Sequence, residues 1–348
     1  MNALFRWSTE KANEWYARQP WLVGCNFIPS NAINQLEMWQ AETFDPATIE
    51  RELSWAANLG FNTVRTYLHD LAWEADAQGF KERIHCFLDI ASRQGIRPIL
   101  VIFDDCWNSN PRTGVQPAPR PGIHNSGWVQ SPGIDIVNCG PSAWGRLEKY
   151  VQDIIGSFGE DERILLWDLY NEPGNGGNGD NSLALVQAVF KWARAANPIQ
   201  PLSVGLWWEF QKLNEFQLAA SDIITFHNYK PADNLEKQIA RLKAHGRPVI
   251  CTEWMARHCD SLVCTNLPIF ARERVGCLNW GLVAGKTNTI YPWKEVIELS
   301  DTVPGSMELA SEPKVWFHDL LRPDGTPYDQ NECDLFKTYT ECLRLVHS

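Results

Sequence analysis

Residues 164–173 read Ile-Leu-Leu-Trp-Asp-Leu-Tyr-Asn-Glu-Pro, an apolar run that stops on Asn171-Glu172-Pro173. A short run without polar alternation is the pattern of a parallel strand buried on both faces. Pro173 cannot extend a sheet ladder, so Glu172 marks the strand's C-terminal edge. Seven more such runs lie at 21–27, 63–68, 97–104, 201–206, 222–229, 248–254 and 276–282. Amphipathic stretches accompany them at 46–59, 79–94, 141–157, 181–196, 233–245 and either 313–322 or 333–346. Asp45 is placed to cap the helix over 46–59, and Gly60 to stop it. Gly95-Ile96-Arg97-Pro98 and Gly246-Arg247-Pro248 end two further helices before the next strand begins.

About eight strand–helix units predict an α/β fold, a single (β/α)8 barrel forming one domain over residues 1–348. A doubly wound nucleotide-binding sheet would need G-x-G-x-x-G after its first strand, where this chain has Asn26-Phe27-Ile28-Pro29. The long connections at 28–44, 105–140, 174–180 and 283–311 all follow strands. They therefore share the barrel face on which such enzymes build their active sites. Segment 105–140 is rich in Pro, Gly and Asn, yet the alternation resumes directly after it, so it reads as a lid or cleft wall rather than a linker.

Composition narrows the partners. The chain has 42 acidic against 31 basic residues, a formal charge of −11, which speaks against nucleic acid and anionic membranes and fits a neutral ligand. Its 17 Trp, beside 8 Tyr and 4 Met, exceed what a core needs and leave indole faces for flat, hydroxyl-bearing ligands. Trp39, Trp128, Trp207, Trp208 and Trp293 fall on loops or strand ends and are expected at the cleft. Ten scattered Cys form no CxxC pair and read as reduced thiols, and His258, Cys259 and Cys264 fit no common zinc spacing. No apolar run is long enough to span a bilayer. The N-terminus lacks an apolar signal core, so the expected location is cytoplasmic, or outside the cell if a leader precedes this sequence.

A second strand, Val249-Ile250-Cys251-Thr252-Glu253-Trp254, also ends near a glutamate. Glu172 and Glu253 sit on strands 4 and 7, which a ring of eight places across the mouth from each other. Two opposed carboxylates at one cleft are what glycoside cleavage needs: one protonates the leaving oxygen, the other attacks the anomeric carbon or activates water. Asp104 and Asp105 raise the question of a metal, but adjacent strand residues face opposite sides and no third ligand is evident. No metal or cofactor is expected.

Asn171-Glu172-Pro173 after strand 4 and Thr252-Glu253-Trp254 after strand 7 resemble clan A of the glycoside hydrolases, and most nearly family 5, the cellulase and mannanase family. The resemblance covers about residues 20–285. It implies a retaining β-glycoside hydrolase with Glu172 as general acid/base and Glu253 as nucleophile. It further implies Asn171 on the sugar 2-hydroxyl, Arg65 beside the nucleophile, and Tyr229 bonded to Glu253. His227 would orient the acid or a hydroxyl, Trp280 would stack under the sugar, and Asn26 is a weaker sugar or backbone contact. Where the family has a histidine after strand 3, this chain reads Phe103-Asp104-Asp105-Cys106-Trp107. Asp104 or Asp105 would then take over a hydroxyl contact, with Trp107 as a platform. Two alternatives stand beside this reading. One is an exo-acting glycosidase or transglycosylase, with loops 105–140 and 283–311 closing the groove at one end. The other is a non-catalytic carbohydrate-binding barrel. The sugar, the linkage and the oligomeric state are not readable from the sequence.

Overall fold

The computed structural model describes residues 6–206, 210–294 and 312–345. The predicted (β/α)8 barrel forms. Its strands are β1 (Val23–Asn26), β2 (Thr63–Tyr67), β3 (Ile99–Val101), β4 (Leu166–Asp168), β5 (Leu202–Ser203 and Gly205–Leu206), β6 (Ile224–Asn228), β7 (Val249–Trp254) and β8 (Gly276–Asn279). All pairings are parallel, and β1 bonds β8. The ring closes at β5, whose first half pairs with β4 and whose second half, past a break at Val204, pairs with β6. Strand tilt in a barrel shears each strand against its two neighbours, and a broken strand serves both registers.

Local signals act as expected at several ends. Asp45 accepts from Ala47 and Thr48 at the start of helix Pro46–Asn58. Gly60 follows that helix with φ of +87°, a conformation that suits glycine. Two readings are corrected and one alternative is decided. The strands are shorter than their apolar runs, because the runs continue into buried strand ends and loops. The last helix is Gln330–Leu345, while 313–322 has no helix. Trp39 does not reach the cleft: it is fully buried, edge-on to Phe80 and Phe87 and stacked on Phe44.

Inside the barrel, Leu22, Ile99, Leu166, Ile250 and Leu278 pack together with Trp7 and Trp15. Trp7 precedes helix Thr9–Ala17, an element absent from the sequence reading, and Trp15 lies in its last turn. A far larger apolar layer lies between the strands and the surrounding helices. Much of the Trp excess is therefore core. Trp207, Trp208 and loop residues 295–311 lie outside the described residues. No described helix is long and apolar enough to cross a membrane.

Candidate active site

Glu253 reaches the barrel mouth through an irregularity. Cys251 packs in the outer layer and Ile250 in the inner one, so strict alternation would turn Glu253 outward. The register slips on both sides of this strand: Cys251 faces Phe226 but Glu253 faces His227, leaving Thr252 as an extra residue. This bulge re-aims Glu253 into the cavity. Glu172 arrives by a different device, with φ of 40° beyond the end of β4. Trp107 and Met255, beside the same site, have φ of 69° and 72°. Non-glycine residues in this region cost energy and cluster at functional sites.

Each oxygen of Glu253 has partners. Arg65 Nη1 and Tyr67 OH donate to Oε1 at 2.8 and 2.9 Å, and Tyr229 OH donates to Oε2 at 2.8 Å. Arg65, itself fully buried, also binds Asp168 through Nε at 2.9 Å, Asn26 Oδ1 at 2.9 Å and Asn171 Oδ1 at 2.7 Å. Burial alone would lower the Arg65 guanidinium, but Tyr67, Asp168 and Glu253 outweigh it and hold it cationic. Burial, then the Glu253 charge, keeps the Tyr229 hydroxyl protonated; burial does the same for Tyr67 against the Arg65 charge. Both phenols are therefore donors.

Glu172 is held on its other side. His227 Nδ1 lies 2.6 Å from Oε1, Asn175 Nδ2 donates to Oε2 at 2.6 Å, and Cys106 Sγ donates to Oε2 at 3.4 Å. Burial pushes the Glu172 carboxyl up, but the His227 hydrogen bond and charge, with Asn175 and Cys106, bring it below its ordinary range. His227 Nδ1 also stands 3.4 Å from Glu253 Oε2, so two carboxylates face one ring nitrogen. Its Nε2 has no hydrogen-bond partner among the described residues and packs over Gly205, where a Cβ would come within 3.1 Å of it. One oxygen of each glutamate and a His227 ring nitrogen all lie within 4.8 Å of one another. These three groups have metal-ligand spacing, but a guanidinium and two phenol donors already occupy Glu253, which disfavours a divalent cation there.

The cavity around these groups measures about 1050 Å³. Asn171, Glu172, His227, Tyr229, Glu253, Trp280 and Trp107 all line it, as do Trp128 and Trp293 from the loops. Trp280 meets Tyr67 and Trp128 at ring distances of 6.0 and 5.8 Å. Trp107 is the exposed member, at 41 %. Arg65 and Asn26 stand behind Glu253 rather than in the wall, with Asn26 Nδ2 fixed on Thr252 O at 2.7 Å.

The two aspartates do not line the cavity. Asp104 accepts from Asn171 Nδ2 at 2.9 Å, Cys106 N at 2.9 Å and Trp128 Nε1 at 2.7 Å, so it orders three residues that do line it. Asp105 points elsewhere, accepting from Tyr170 OH, Gly174 N and Ser182 Oγ, and ties down the loop after β4. Burial raises Asp104 to about 6 and Asp105 to about 7. Sequence reasoning missed Cys106, Tyr67, Asn175, His124 and His318. Cys106 fills the gap among Asn171, Glu172 and Asn175, accepting from the two amides at 3.3 and 3.4 Å. No sequence signal marks it beyond adjacency to Trp107.

The sequence matches the family model of the cellulases (glycosyl hydrolase family 5) over residues 24–285. The chain belongs to glycosyl hydrolase family 5. It is a glycoside hydrolase by that membership. No curated protein matches its sequence. Its fold is similar to an exo-β-1,4-mannosidase, Op5Man5, from Opitutaceae bacterium strain TAV5, with a TM-score of 0.63 and 18% identity over 92% of this chain. The chain spans only 60% of that protein. It is also similar to the endo-1,4-β-D-mannanase of Thermotoga petrophila RKU-1, with a TM-score of 0.58, 15% identity and coverage of 92% and 99% of the two chains. A family 5 mannosidase from Rhizomucor miehei gives a TM-score of 0.57 at 13% identity, with 93% of each chain covered.

Proposed function

We propose that this family 5 member is a retaining β-glycosidase, one catalytic domain over residues 1–348, in which Glu253 attacks the anomeric carbon and Glu172 serves as acid and then base. The spacing of the carboxylates carries the reading. One oxygen of each lies within 4.8 Å of one of the other, which suits the ~5–5.5 Å between the carboxyl groups of a retaining pair better than the ~6.5–9.5 Å of an inverting one.

The surroundings fit each role. Arg65, Tyr67 and Tyr229 hold Glu253 in one orientation with its charge stabilised, as a nucleophile needs. Glu172 is ionised at rest, and a sugar that excludes water from the cavity raises its proton affinity for the first step. Once Glu253 is esterified its charge is gone, and Glu172 returns to carboxylate to activate water. Asn171, pinned by Arg65 and Asp104, has only the weak Cys106 contact left on its amide and offers that N–H to a sugar hydroxyl. Trp280 supplies the stacking face.

Glu172→Gln should nearly abolish turnover of unactivated glycosides, and Glu253→Ala turnover of all of them. Near-native rates in both variants would sink the assignment. The product's first anomer, followed by proton NMR, must be the β form. Mannosides belong first in the substrate panel, because mannosidase and mannanase folds are similar.

Exo action is favoured by one observation. Loop 105–140 is joined to the loop after β8 across the mouth: Asn125 N donates to Thr287 O, Asn288 Nδ2 to Arg120 O, and His124 Nδ1 meets Tyr291 O, each at 2.8 Å. Lys286 N in turn donates to Ser30 O after β1 at 2.9 Å. A wall continuous over the β8, β1 and β3 loops closes the end away from Glu172, where the glycone must lie. Release of monosaccharide alone from a defined oligosaccharide is the expected result, and mixed oligomers would overturn it.

A further inference from the structure

The cavity extends past the reacting carboxylates. Its wall after β6 carries Lys230, next to Tyr229, and Lys237 and Arg241, one turn apart on helix Ala232–Lys243. Three cations on one wall run against a chain whose formal charge is −11. Glu172 and Glu253 are the only acidic residues among the described lining. Glu253 already faces Arg65 at 2.8 Å, and Glu172 must hold a proton when it acts as acid. Lys237 has Asp233 at 3.2 Å, but both side chains are over 70% exposed, at 77% and 73%, so the pair neutralises little. Arg241 has a partner of its own, whereas Lys230 makes no ion pair among the described residues, so Lys230 and Lys237 are the cations the wall leaves open.

Between the cations lies a row of amides. Asn228 Nδ2 donates to Asn234 Oδ1 at 3.0 Å and to Gln238 Oε1. This turns the Gln238 amide so that its buried Nε2 has no acceptor among the described residues. Lysine and arginine only donate, and an orphaned N–H among them completes a donor set for an oxyanion. A sugar hydroxyl, which must both give and accept, is served less well. The position is informative too. β6 bears His227, which bonds Glu172, and Glu172 must sit beside the leaving oxygen. The lobe therefore lies on the leaving-group side.

We infer that the leaving-group end of this cavity binds an oxyanion carried by the substrate, a carboxylate or a phosphate ester on the sugar that is released. The inference rests on the hydrolase reading above. Its test takes the neutral aryl glycoside turned over fastest as reference. Disaccharides of the same glycone are then compared, with a leaving residue that is neutral, a uronic acid or a 6-phosphate.

At low ionic strength kcat/KM should favour one of the anionic substrates over the neutral disaccharide by about tenfold. The two arms tell carboxylate from phosphate. The preference should fall with added salt and collapse toward unity in Lys230→Ala/Lys237→Ala/Arg241→Ala. Lys230→Gln alone, at an exposed loop position, should lower it severalfold and serves if the triple variant does not fold. Equal kcat/KM for neutral and anionic disaccharides, or a triple variant that keeps the preference, overturns the inference alone. Failure to hydrolyse any glycoside overturns the hydrolase reading and this inference with it.

Discussion

Replacing Arg65 by Met keeps most of the side-chain volume and removes the charge that two buried carboxylates share. Asp168 and Glu253 have side-chain exposures of 0% and 6%, and Arg65 lies 2.8 Å from each. Without it a carboxylate must stay charged and unpaired or take a proton. Protonation costs about 1.4 kcal/mol for each pH unit above the ordinary carboxyl value near 4, hence about 4 kcal/mol at pH 7. That agrees with the ~3–5 kcal/mol lost when one partner of a buried pair is removed. Burial already holds Asp168 above its ordinary range against the opposing Arg65, so it protonates first. The variant's carboxyl is then raised in the folded state, so its stability is present at low pH and lost as pH rises.

Urea unfolding followed by circular dichroism should show a loss of about 4 kcal/mol at pH 7 but only about 1–2 kcal/mol at pH 5. Arg65→Met/Asp168→Leu, which removes both charges of that pair, should regain much of the stability without regaining turnover, because Glu253 is still unsupported. Equal losses at pH 5 and pH 7 would mean that packing, not charge, is what Arg65 supplies, and would refute the reasoning.

Two further outcomes follow from the same geometry. Cys106→Ala removes a donor from Glu172 and an acceptor from Asn171 and Asn175, and should lower kcat/KM about fivefold, the worth of roughly one hydrogen bond. Cys106→Ser should restore most of it and return the pH–rate profile; a serine variant as slow as the alanine one contradicts the positioning role. In the unmutated protein Asp104 and Asp105 are raised to about 6 and about 7 by burial, above their unfolded value near 4. The stability of their neutral forms is complete below about pH 4 and lost as pH rises through 6 to 7, on the order of 3 kcal/mol for Asp104 and about 4 kcal/mol for Asp105. The urea midpoint should therefore be lower at pH 8 than at pH 5.5, and a flat or rising profile would count against those environments.

Acidity shows how far composition reaches. A charge of −11 argued for a neutral ligand, yet the wall after β6 gathers Lys230, Lys237 and Arg241 on the reacting cavity. Net charge sums over a surface and says nothing of where a fold concentrates one sign. Tryptophan behaves likewise. Trp107, Trp128, Trp280 and Trp293 line the cavity while Trp7, Trp15 and Trp39 are core, and the residue type alone cannot sort them.

Local pattern was enough for the barrel, because a parallel strand buried on both faces leaves a continuous apolar run wherever it occurs. It was enough for the strand-end positions of Glu172 and Glu253 as well, since a polar residue closing such a run lies at the rim. Side-chain direction past the last regular pair was not legible. The bulge at Thr252 that turns Glu253 inward depends on registers with β6 and β8. Asp104 and Asp105, adjacent in sequence, divide between Asn171 and the loop after β4 because donors more than 60 residues away claim them. Cys106 joins the site for the same reason. Periodicity records how a residue sits on its own element, whereas partners brought together by ring closure decide what its side chain faces.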